Sequence, residues 1–73
     1  MGKLCVLSGQ QVCRILENHG FQEVRRRGSH VVMQRRTDQG SITLPVPDHS
    51  ELALGTLLAI IRQSGVARSA FES

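Results

Sequence analysis

The alternation of apolar and polar positions divides the chain into a helix, three strands and a second helix. Val12, Ile15 and Leu16 recur at helical spacing on one face. Ser8 followed by Gln11 fits a capping box, and Leu7 with Val12 occupies the N′ and N4 positions of a hydrophobic staple, so the helix is expected to start at Gly9. Gly20 is placed as the C′ residue, with Phe21 packing on Leu16 as in a Schellman motif, and the helix should stop near His19. Phe21 to Arg27 alternates imperfectly and reads as a first strand mainly because two clearer strands come after it. Ser29 to Arg36 is rich in β-branched residues, and Ser41 to Val46 alternates Ile42, Leu44 and Val46 with Ser41 and Thr43. The Thr-Asp-Gln-Gly between them is turn chemistry, so the two runs form a hairpin.

A four-residue loop from Thr37 to Gly40 sets Arg36 opposite Ser41, Met33 opposite Leu44 and Val31 opposite Val46, which gathers the apolar residues on one side. The same count around the Arg27-Gly28 corner sets Val24 opposite Val31 on the buried side and Arg25 opposite His30 on the other. His30 then points outward beside Arg25, Val32 and, diagonally, Glu23, with Gln34, Thr43 and Arg36 further along. A one-residue slip would bury the histidine instead. Pro45 and Pro47 end the third strand. Leu54, Leu57, Leu58, Ile60 and Ile61 then form a broadly apolar second helix that Gly65 ends, with Arg62 in its last turn. Ala67 to Phe71 adds a short turn that tucks Phe71 against the core. The order helix, three antiparallel strands, helix predicts a two-layer α+β domain, with both helices on one sheet face and the other face open.

Seventy-three residues, read as a single domain over 1–73, bury only about 60% of their unfolded surface, so any site should lie on the exterior. No apolar run approaches the roughly 20 residues that span a membrane. The formal charge of +3 suits an anionic partner without naming one. Its distribution is more informative: Arg25, Arg26, Arg27, Arg35 and Arg36 put five of the nine basic residues within twelve positions that hold no carboxylate. The plainer alternative is a solvated hairpin face with no partner. Cys5 and Cys13 follow no secretory leader, since Met1 to Leu7 is too short for one, which points to a reducing, cytoplasmic setting. Their spacing, with His19, His30 and His49 scattered, is not that of a structural zinc site, and neither a metal nor another cofactor is expected. Cys13 falls within the first helix, where packing is the commoner role.

Candidate chemistry centres on Arg25 to Val32. Three consecutive guanidiniums run into a Gly-Ser corner, then a histidine, then an apolar pair. Arginine forks match phosphate oxygens bidentately, and an imidazole can give or take a proton near neutral pH. Only two aromatic residues are present, both at packing positions, so the ring platforms on which single-stranded bases stack are missing and phosphate and 2′-hydroxyl contacts are expected. His30 is the candidate general acid or base. Arg25, Arg27, Arg35 and Arg36 are candidate phosphate ligands, with Ser29 or the Gly28 amide as a further donor. Glu23 could orient His30 if this register holds. His49, in a polar loop, is either a second proton-transfer group or a locally bonded loop residue, and His19 most simply complements the helix dipole. Three functions fit: an RNA-cleaving enzyme, a non-catalytic RNA-binding module on the same face, and an interaction domain that pairs through a sheet edge.

In order and spacing, Leu7-Ser8-Gly9, Leu16 through Gly20-Phe21, Arg27-Gly28-Ser29-His30, Thr43-Leu44-Pro45-Val46-Pro47, Gly55-Thr56-Leu57 and Ile61-Arg62-Gln63-Ser64-Gly65 make the chain resemble the HicA toxin family, also grouped as YcfA-like proteins. The resemblance covers nearly the whole chain. It implies a fold like that of a double-stranded RNA-binding domain, and an mRNA interferase of a toxin–antitoxin pair that arrests translation and is held inactive by a HicB-like antitoxin. It also implies that His30 corresponds to the family's catalytic histidine. The chain departs from commoner members at Leu54 and Cys5, where proline is frequent. Those changes bear on how the helix begins rather than on chemistry.

Overall fold

The computed structural model describes residues 6–72; Cys5, and the first residues of the segment considered as a leader, lie outside them. Helix α1 runs Gly9–Glu17, strands β1, β2 and β3 run Gln22–Arg27, His30–Thr37 and Gly40–Pro47, and helix α2 runs Leu54–Ser64 before a 3-10 turn at Arg68–Phe71. The sheet is antiparallel in the order β1-β2-β3, and the α+β architecture is the one the patterning predicts.

Local chemistry explains the ends of α1. Ser8 Oγ accepts from the Gln11 N–H at 3.1 Å and Gln11 Oε1 accepts from the Ser8 N–H at 2.8 Å, so both halves of the capping box are made. At the other end the Gly20 N–H donates to the Glu17 carbonyl at 3.1 Å and the Phe21 N–H to the Leu16 carbonyl at 3.0 Å, the two bonds of a Schellman motif. Val12 and Leu16 of α1 join Phe21, Val31 and Met33 of β2, Leu44 and Val46 of β3, Leu57 and Ile60 of α2, and Phe71 in one buried cluster. Both helices therefore cover the same sheet face. The buried Ser64 is satisfied locally, its hydroxyl donating to the Ile61 carbonyl and accepting from the Val66 N–H.

The β2–β3 register is the expected one: Arg36 faces Ser41, Met33 faces Leu44 and Val31 faces Val46. Pairing also extends to Thr37 and Gly40, leaving Asp38 and Gln39 as the turn. The β1–β2 register differs from expectation. Arg27, not Arg25, faces His30, because the connection is a tight turn of Gly28 and Ser29 alone. Gly28 sits at φ +58, the positive angle needed at the first central position of a two-residue hairpin turn of type II′. Arg26 faces Val31, Arg25 faces Val32, and the register then shifts between Glu23 and Arg25, so that Glu23 faces Met33. This bulge corrects two expectations. Val24 is not buried against Val31 but is the extra residue of the bulge and is exposed. Glu23 moves to the helix-covered side and does not lie beside His30.

Candidate functional site

Strand alternation sorts the three arginines of β1 onto different faces. Arg26 turns toward the helices, where its Nη1 lies 2.7 Å from Asp48 Oδ2, and that hydrogen-bonded carboxylate further favours the charged guanidinium. Arg25 and Arg27 turn to the open face. Neither guanidinium makes an ion pair or hydrogen bond among the described residues. His30, directly across from Arg27, is exposed, and its imidazole is likewise unengaged among the described residues.

Rows across the open face follow from the register. One row is Arg27, His30 and Pro47; the next is Arg25, Val32 and Pro45; beyond lie Gln34 and Thr43, then Arg36 and Ser41. Arg27 and His30 of the first row, Arg25, Val32 and Pro45 of the second, and Thr43 and Leu44 line an open depression of about 430 Å³. A second, of about 350 Å³, runs from His30, Pro45 and Pro47 to Gly55, Thr56, Ala59 and Gln63 of α2. His30 borders both. Its corner is held from below, because the Asp48 N–H donates to the Ser29 carbonyl at 2.6 Å while the Asp48 side chain binds Arg26. Gly28 and Ser29 are exposed at the tip of the turn.

Other residues singled out in the sequence are placed elsewhere. Arg35 is on the helix side, its guanidinium 5.8 Å from the centre of the Phe21 ring and 3.4 Å from the His19 carbonyl oxygen. Arg36 is on the open face but at the far end of β2, beside Gln22, Val24 and Gln34. His49 borders neither depression that His30 borders; its carbonyl accepts from the Gly9 N–H at 2.9 Å. His19 Nδ1–H donates to the Ile15 carbonyl at 2.9 Å at the end of α1. Cys13 packs beside the core, and burial, followed by the nearby carboxylates of Glu23, Glu17 and Asp48, pushes its thiol up to about 11. Among the described residues no three histidine, cysteine or carboxylate side chains converge as a metal site. Sequence reasoning missed Asp48 as the residue that ties the corner down; its one signal was an acidic residue directly after the strand-ending proline.

The description "HicA toxin of bacterial toxin-antitoxin" belongs to a family model that matches residues 9–66, 58 of the 73 residues. The chain belongs to the HicA toxin family. It is a toxin of a toxin–antitoxin system, and an antitoxin is its implied partner. The HicA match opens at the first residue of α1 and closes just after α2, so it takes in all three strands and the Gly28-Ser29-His30 corner. A comparison with curated proteins finds no match. No helix among the described residues is long and apolar enough to cross a membrane.

Proposed function

We propose that this HicA-family chain is a metal-independent endoribonuclease that cleaves mRNA in the cytoplasm and so arrests translation, with His30 as its general acid or base. The observation that carries this reading is the pair of unengaged guanidiniums, Arg25 and Arg27, flanking an exposed histidine while their neighbour Arg26 is tied to Asp48. RNA carries its own nucleophile. His30 takes the proton of the 2′-hydroxyl, the 2′-oxygen forms a bond to phosphorus, and the bond from phosphorus to the 5′-oxygen breaks. That oxygen leaves with a proton from water, giving a 2′,3′-cyclic phosphate and a 5′-hydroxyl end. Charge builds on the phosphoryl oxygens as the new bond forms. Arg25 and Arg27 stabilise it, with the Ser29 hydroxyl and the Gly28 amide as donors from the turn.

Arg36, on the same face, takes a flanking phosphate. Arg35 is turned to the other face and contributes at most to RNA that wraps the edge of the sheet beside Gly20. Glu23 plays no part in orienting His30. An antitoxin that covers the open face silences the enzyme, and an acidic surface suits the free arginines.

The test is a gel assay with a long single-stranded RNA in EDTA, wild type against His30→Ala. Wild type fragments the RNA, and the substitution lowers the rate by at least about 10²-fold, the range for loss of a general acid or base. Intact RNA with a mobility shift in both lanes would make the chain a binding module. Equal fragmentation by both proteins would place the reaction away from His30.

A further inference from the structure

The depression beside His30 is not built as a phosphate site throughout. Its middle row places Val32 directly opposite Pro45, with Arg25 on the other side of Val32. Pro45 has no N–H, Val32 offers only a hydrocarbon side chain, and both present surface on the open face. A phosphate gains nothing from that wall, whereas a flat apolar ring does. Arg25 adds a planar guanidinium, which stacks on aromatic faces as well as binding anions. One row further on, Gln34 Nε2 donates to Thr43 Oγ1 at 3.0 Å, which fixes the amide and leaves the Thr43 hydroxyl proton and Gln34 Oε1 unspent. Rows on one face of a strand recur about every 6.6 Å. An apolar wall and an oriented polar pair thus lie in succession from the His30 row.

From this succession we propose that the Arg25–Val32–Pro45 row holds one nucleobase of the RNA next to the cleaved bond, with the Gln34–Thr43 pair reading that base's edge. The proposal rests on the ribonuclease reading and deepens it: the enzyme takes single-stranded RNA, because a paired base cannot leave its stack to enter the row, and it discriminates among bases at one position. Phosphate contacts by Arg27, by Arg36 and by the edge N–H groups of Arg25, whose guanidinium face lies on the base, position the strand without carrying sequence. The base row supplies the choice that they lack. The missing aromatic platforms do not preclude it, since an aliphatic wall with one guanidinium presents a comparable flat surface.

The experiment changes chiefly the RNA, and its two protein variants, at His30 and Thr43, fall at exposed positions, so no core substitution is needed. A short single-stranded oligoribonucleotide is made in a set in which each base in turn is replaced by hydrogen. Affinity is measured with His30→Ala, and cleavage with wild type. Loss of the base beside the cleaved bond weakens binding by about tenfold, within the range for one stacked base, while losses elsewhere change it by less than about twofold. Thr43→Val, which keeps the shape and the β-branched stem, levels the rates among the four bases at that position. A flat affinity profile alongside wild-type cleavage overturns the base row and leaves the ribonuclease reading standing. Base dependence without cleavage by wild type overturns the ribonuclease reading and keeps the row. Absence of any RNA binding overturns both.

Discussion

At Cys13 the fold changes the chemistry of one side chain, and stability should follow pH there. Burial disfavours the thiolate, and the carboxylates of Glu23, Glu17 and Asp48 oppose it further, so the value rises from 9.0 to about 11. A group whose acid form is favoured by folding contributes stability that is complete below its unfolded value. That contribution is lost as pH rises from about 9 through about 11. A rise from 9.0 to about 11 corresponds to about 2.7 kcal/mol, but the half-buried site loses part of that to solvent screening and leaves something on the order of 1 kcal/mol. In a Cys5→Ser background, the urea midpoint should fall between about pH 8 and pH 10.5, and Cys13→Ala should flatten that decline. A slope unchanged by Cys13→Ala would assign the alkaline loss to another group. At neutral pH the same shift leaves about a hundredfold less thiolate than an ordinary cysteine has, which argues for packing over nucleophilic chemistry.

Among the elements, α1 and the β2–β3 hairpin were legible because several independent signals agree. Ser8 and Gln11 mark the start of α1, Gly20 and Phe21 mark its end, and Val31, Met33, Leu44 and Val46 align only in one register. Strand β1 offered no such agreement. Three adjacent arginines carry no apolar alternation, and a bulge inserts a residue that counting from the turn cannot reveal. His30 was nonetheless placed on the open face with Arg25, since the register error was two residues and an even shift preserves the face. Arg35 was grouped with Arg36 by charge alone, although neighbours in a strand point to opposite sides. The bulge has a measurable consequence. Val24→Ala should change stability by no more than about 0.5 kcal/mol, as at an exposed position, whereas Met33→Ala should cost about 2–5 kcal/mol. Denaturant titration separates them, and a core-sized loss at Val24 would restore the unbulged register.

Across the whole molecule, the segment after β3 ties the open face to the helix layer. Leu52 donates its N–H to the Leu7 carbonyl at 2.8 Å, Gly9 donates to the His49 carbonyl at 2.9 Å, and Asp48 reaches both the Ser29 carbonyl and Arg26. The lacing brings the first residue of α1 so close to the end of β3 that a side chain at Gly9 would overlap the Pro47 carbonyl oxygen and press on the Asp48 Cα. Two effects of Gly9→Ala therefore oppose each other. Alanine favours a helix over glycine by up to about 1 kcal/mol, but that figure holds for helix interiors and shrinks at the first turn. Overpacking costs about 1–3 kcal/mol, and here the obstructing atoms are backbone, which has no alternative rotamer. The clash should win. Melting followed by circular dichroism should drop by roughly 5–20 °C, the shift that such a loss produces in a domain of this size. Because Asp48 lies in the displaced segment and holds the Ser29 carbonyl, cleavage should fall further than the fraction unfolded explains when assayed well below the new midpoint. An unchanged or raised midpoint would mean that Pro47 yields without strain, and that the His30 corner does not depend on its attachment to α1.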